Sequence, residues 1–138
     1  PSGAARPLTP GSPRWNRGVS ERARPPDDID PADFFRRWAP EAVRTDPERR
    51  AKIADLNARI QFELAGDGGG PFWLELCDGA IRGDSGRLDA PDLVLSTDLE
   101  TWRKLNAGEL LAPTAVMKGR LRFQGSMYLA LKIHFILG

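Results

Sequence analysis

The chain has 138 residues, 41% hydrophobic and 28% charged, a composition that suits one folded domain with a tail and excludes two large cores. Its 20 basic and 19 acidic residues leave a formal charge of +1, too weak a field for nucleic acid to be the main partner. One cysteine, Cys77, rules out an internal disulfide, and with the single histidine, His134, the supply of ligands falls short of a structural zinc site.

Seven of the twelve prolines lie within residues 1–31, and Arg6, Arg14, Arg17, Arg22 and Arg24 face only Glu21 before Asp27. Such a segment buries too little apolar surface to offset its ordering entropy. Residues 1–28 are therefore expected to form an extended basic tail, with Trp15 as its one docking residue, and residues 29–138 the folded domain. The opening shows no positive-then-apolar pattern, so no secretory leader is expected, and no run of about eighteen apolar residues predicts a spanning helix.

Asp30-Pro31 reads as a helix start, with Phe34, Phe35 and Trp38 as its apolar stripe and Pro40 as its end. Asp46-Pro47 repeats the signal for a second helix to about Leu56, with Ile53 and Leu56 facing inward. Alternation then takes over. Ile60, Phe62 and Leu64 share one strand face and Phe72, Leu74 and Leu76 another, joined by the glycine-rich turn 66–71. Asp78-Gly79 offers a second turn into a run from Ala80 to Leu88, and Asp92 to Ser96 is a fourth strand, which together read most economically as an antiparallel meander.

Thr97-Asp98-Leu99-Glu100 fits a capping box with Thr97 as the cap and Glu100 reaching back, for a helix that Gly108 stops. Leu99, Trp102 and Leu105 share its face. An apolar loop or short helix around Leu110, Leu111, Val116 and Met117 leads to a strand, 119–125, in which Leu121 and Phe123 oppose Arg120, Arg122 and Gln124. Ser126 caps a final helix interrupted only by Tyr128, Lys132 and His134, so more than one of its faces is expected to find apolar company. Two helices, a meander, a helix, a strand and a helix make an α+β fold.

Three peptides look like chemistry. Gly83-Asp84-Ser85-Gly86 has the form of a serine nucleophile's surroundings, but its only base would be His134 in the apolar helix, so a strand-to-turn reading is preferred. The glycines from Gly66 to Gly70 lack the Lys-Ser/Thr of a phosphate loop and lead into a strand. His134 has no second His or Cys for a metal. No catalytic residue, metal or cofactor is assigned.

The segment Pro113-Thr114-Ala115-Val116-Met117-Lys118-Gly119-Arg120-Leu121-Arg122-Phe123-Gln124-Gly125-Ser126-Met127, followed by Tyr128-Leu129-Ala130-Leu131-Lys132, resembles the hallmark Pro-x-Ala-x-x-x-Gly-x-Leu-x-x-x-Gly-x-Met of the sterol-carrier-protein-two family. Upstream, Asp92 to Ser96 and the stretch from Asn106 to Leu110 resemble the family's strand and helix before the loop. Ser126 stands where Asn is usual, and Val116 and Met117 replace a common aromatic pair. The resemblance implies a curved, mostly antiparallel five-stranded sheet with helices on one face, enclosing an apolar tunnel for sterols, acyl chains, phospholipids or quinone-like lipids. Leu105, Leu110, Val116, Met117, Leu121, Phe123, Met127, Leu131 and Phe135 are then expected to touch the ligand. A non-catalytic carrier is expected, with an accessory domain that presents lipid to a partner enzyme as the alternative; beside the lipid, the partner is a partner enzyme or a transient membrane contact. The chain's ending offers no peroxisomal address. A cytoplasmic setting is expected, and frequent Arg, Ala, Gly and Pro suit a GC-rich bacterial source.

Overall fold

The computed structural model describes residues 24–137, with side chains described through His134. Trp15 and most of the basic tail lie outside these residues. At their start Pro25 is already buried, and Arg103 Nη1 donates to the Asp27 carbonyl at 2.9 Å.

The first helix, α1, comprises α-helical Pro31–Asp33, π-helical Phe34–Trp38 and α-helical Ala39–Thr45. Pro40 was expected to end it and does not. The π turn widens the helix just before the proline, with the Ala39 N–H bonding back to the Phe34 carbonyl, so the ring and the missing donor fall where an α-helical bond is already interrupted. The break comes at Asp46, whose side chain accepts from the N–H groups of Glu48 and Arg49 to start α2, Pro47–Ile53. Arg49 is fully buried beneath this turn, its guanidinium 5.4 Å from the Trp38 ring and 3.7 Å from the Asp46 carboxylate.

The five strands are β1 (Ala58–Ala65), β2 (Gly70–Cys77), β3 (Ala80–Ser85), β4 (Leu93–Asp98) and β5 (Leu121–Gly125), in the spatial order β3-β2-β1-β4-β5. The β2–β3 turn has positive φ at both Asp78 (54°) and Gly79 (77°), the conformation that matches the twist of a tight hairpin. The meander holds for β1, β2 and β3 only. β4 instead crosses to pair parallel with β1, in the register Ile60 to Leu93 and Phe62 to Leu95. The short β3 remains an edge, whereas beside β1 both leucines of β4 become buried. Gln61 pins the crossover from the opposite sheet face: its Nε2 donates to the Gly86 carbonyl at 3.0 Å and its Oε1 accepts from the Leu88 N–H at 2.8 Å.

Helix α3, Leu99–Ala107, starts from Asp98 and not from Thr97, and ends at left-handed Gly108. Thr97 is still strand, paired to Leu64 and Leu121, and its hydroxyl donates to the Arg120 carbonyl at 2.7 Å. Glu100 pairs with Lys104 and Arg120 in place of reaching back. Helix α4, Ala112–Met117, then precedes β5, and Ser126 Oγ accepts from the Leu129 N–H at 3.2 Å to open α5, Met127–Leu137. The helices cover the sheet face that carries Ile60, Phe62, Leu74 and Leu95. There Phe35 stacks on Phe72 at 5.0 Å and Phe34 meets Trp102 edge-on at 5.0 Å. The fold is α+β, as expected.

Candidate functional site

Alternation along β1, β4 and β5 points Phe62, Leu95, Thr97, Leu121 and Phe123 toward the helices. Over β1, β4 and β5 these side chains do not close on the helices completely, and a cavity of about 350 Å³ remains. That lies at the lower end of the roughly 300–1,000 Å³ range of small-molecule sites, so it suits one slender ligand. Helix α3 contributes Trp102, Leu105 and Asn106, α1 contributes Phe34, and α4 contributes Ala112, Pro113, Val116 and Met117. Met127, Ala130, Leu131, Ile133 and His134 of α5 complete the wall.

Of the residues expected at a ligand, Leu105, Val116, Met117, Leu121, Phe123, Met127 and Leu131 all line this cavity. Leu110 does not; it packs against the main core. The side chain of Phe135 lies outside the described residues. The wall also includes Phe34, Phe62, Leu95, Trp102 and Ile133, whose inward periodicity is identical for a packed core and a cavity wall. Among the described residues Thr97, Asn106 and His134 are its polar members, and no lysine, arginine or carboxylate lines it.

The side chains of α5 are described from Met127 to His134. Ile133 is buried and Leu129 and Ala130 pack on the core, but Met127 and Leu131 stay open beside the cavity, with Met117 87% exposed on α4 opposite. Leu111 and Tyr128 extend this apolar collar. Lys132 stands beside Tyr128, 5.6 Å from its ring, and Lys118 directly follows α4, whereas Arg122 lies on the other face of β5 in a cleft with Glu63, Arg87 and Asp98; no acidic residue follows Glu109 in the sequence.

The serine-like peptide is not part of this wall. Ser85 ends the outermost strand and its hydroxyl accepts from Arg36 Nη2 at 3.3 Å, while the same arginine's hydrogen bond holds the Asp84 carboxyl below the usual carboxylate range. Gly66 to Gly70 form the β1–β2 hairpin turn. Among the described residues no group of three or more His, Cys, Asp or Glu side chains could hold a metal, and no helix is long and apolar enough to cross a membrane.

A family model described as the SCP-2 sterol transfer family matches residues 40–138. The chain belongs to this family. The sterol carrier protein domain 2 of Helicoverpa armigera, 22% identical, superposes with a TM-score of 0.64 over 82% of this chain and 89% of that one. The sec-alkylsulfatase Pisa1 from Pseudomonas sp. shares the fold at 19% identity and a TM-score of 0.64, over 79% of this chain but only 16% of the sulfatase. In sequence, hydroxysteroid dehydrogenase-like protein 2 of Bos taurus is 35% identical over 82 residues, or 59% of this chain. The match spans about a fifth of that relative's length (20%).

Proposed function

We propose that this SCP-2 domain takes up the apolar body of a single lipid between β4, β5 and helices α3 to α5, and releases it intact. One observation carries the reading: an almost wholly apolar cavity opens between α4 and α5 at a collar of exposed methionines and leucines. Unbranched, polarisable methionines adapt to different ligand shapes, and burying alkyl surface supplies the affinity. Lys118 and Lys132 suit the collar to an anionic lipid surface, each worth about 1 kcal/mol close to it. There a lipid could exchange without crossing water.

Native mass spectrometry of freshly purified protein, followed by organic extraction, tests the uptake. A co-purifying lipid that is lost on replacing Leu131 with Lys supports it. A bare polypeptide that also binds no added long-chain lipid would sink it. The contact is tested by sedimentation with phosphatidylserine-containing and purely zwitterionic vesicles, where Met117→Glu should abolish a preference for the anionic ones.

A second reading is favoured by the relatives' length. The bovine protein and Pisa1 are each several times longer than their matching domain. In that reading the domain presents a lipid to a catalytic partner, in the same or another chain. It predicts that turnover of a lipid substrate by such a partner rises when this domain is present and that Leu131→Lys removes the gain.

A further inference from the structure

The two edges of the sheet differ. Helix α1 packs against β3: Arg36 donates to the Asp84 carboxylate and to the Ser85 hydroxyl, and the Phe35 carbonyl oxygen lies 2.6 Å from where a Cβ on Gly83 would stand. The other edge is β5, and among the described residues no hydrogen bond beyond its pairing with β4 reaches residues 121–125. Every second residue of an edge strand turns its N–H and C=O away from the sheet, so β5 offers a short template for one more strand.

The side chains of β5 say what that strand should carry. Arg122 and Gln124 are exposed on the face away from the helices, and Arg122, opposite Ser96, has no ion pair among the described residues. The carboxylates of the neighbouring cleft are engaged elsewhere: Glu63 meets Arg87 at 2.9 Å, and Asp98 accepts from the Thr101 N–H and hydroxyl. On the other face Phe123 is half-buried in the apolar cavity wall. An added strand therefore meets a cation on one face and apolar surface on the other, one residue apart.

We propose that β5 pairs with an extended segment of a partner protein in which acidic and apolar residues alternate, the acidic ones beside Arg122 and the apolar ones beside Phe123. A second copy of this chain is a poorer occupant. Two copies joined at β5 would bring Arg122 of each onto one face with no carboxylate on either strand, and like charges across a strand pair are destabilising. A short, positively charged edge thus discourages self-association while admitting an acidic strand.

The test titrates isotope-labelled protein with two short blocked peptides, one alternating Glu and Val and the other Lys and Val, followed by nuclear magnetic resonance. At low salt the Glu peptide should bind about tenfold more tightly, the effect of a few exposed charge pairs acting together. It should also slow hydrogen exchange at those amides of residues 121–125 that exchange freely in the protein alone. Arg122→Gln should bind the two peptides about equally and Arg122→Glu should prefer the Lys peptide; both substitutions fall at an exposed position. Equal binding by the native protein, binding without protection in β5, or binding of neither peptide overturns the proposal. So does a dimer of the free protein in sedimentation equilibrium that protects the same amides, which would assign the edge to a second copy.

Discussion

The hydroxyl of Thr97, the penultimate residue of β4, donates to the main-chain carbonyl of Arg120 at 2.7 Å and so ties the sheet to the turn that follows α4. The same turn is held from α3, where Thr101 Oγ1 accepts from Arg120 Nε at 3.2 Å. Thr97→Val keeps the shape of the side chain and removes the first tie, leaving a carbonyl unsatisfied. A loss of about 1 kcal/mol is expected, seen as a fall in Tm of roughly 4 °C. Because α4 forms part of the cavity wall, lipid should also leave Thr97→Val faster than the native protein. Stopped-flow transfer to acceptor vesicles would measure that rate.

Gly83 shows where a backbone approach fixes the position of α1. A Cβ there would lie 2.6 Å from the Phe35 carbonyl oxygen and 2.7 Å from that of Trp73, both main-chain atoms that cannot swing aside. Gly83→Ala should cost about 3 kcal/mol in urea unfolding. Gly79→Ala meets nothing within 4 Å and pays only for its positive φ, at about 1 kcal/mol. If the two losses were equal, the close approach of α1 to β3 would be wrong.

These contacts mark how far the sequence could be read. Period-two runs and flanking glycines placed every strand, and Ser126 and the Asp46-Pro47 pair placed two helix starts, because those signals are local. The parallel pairing of β1 with β4 was not legible, since it depends on the relative burial of Leu93 beside Ile60 and of a possible neighbour on the glycine-containing β3. Pro40 misled because a π turn absorbs it, and Thr97 because its hydroxyl is claimed by a residue 23 positions on. At the site, seven of the eight expected residues with described side chains line the cavity, yet Phe34, Phe62 and Trp102 were read only as inward-facing residues of a helix or strand.

Asp98 supplies a pH-dependent term. Its carboxyl is held below the ordinary carboxylate range, first by the Thr101 N–H at 2.7 Å and also by the Thr101 hydroxyl. A lowered folded-state pKa means that stability is present above the unfolded value, near 4, and is lost as pH falls through the lower folded one. Asp84, lowered by Arg36, acts in the same direction. Asp98→Asn keeps a good cap but cannot titrate, so its Tm should decline less steeply than the native protein's between pH 5 and pH 2, by about these bounds of the carboxylate range. An unchanged acid slope would show that the cap does not depend on the carboxylate charge.

Leu131 and Ile133 separate cavity wall from core. They lie two residues apart on α5 and both border the cavity, but Leu131 is 45% exposed and Ile133 only 5%. Ile133→Ala should cost about 3 kcal/mol of stability by opening a void among the residues that hold α5 to the sheet. Leu131→Ala should leave stability within about 1 kcal/mol of native, because its side chain is only half removed from water. Its effect should fall on the ligand instead. In the native protein, affinity for linear lipids should rise about fourfold with each added methylene, the equivalent of about 0.8 kcal/mol, until the cavity is filled. Leu131→Ala should bind every member of such a series more weakly while keeping the slope, because it removes one wall contact and leaves the rest of the channel for the chain unchanged. Chemical unfolding and titration of the same two variants would check both halves. A large stability loss with unchanged lipid affinity for Leu131→Ala would mean that α5 belongs to an ordinary core.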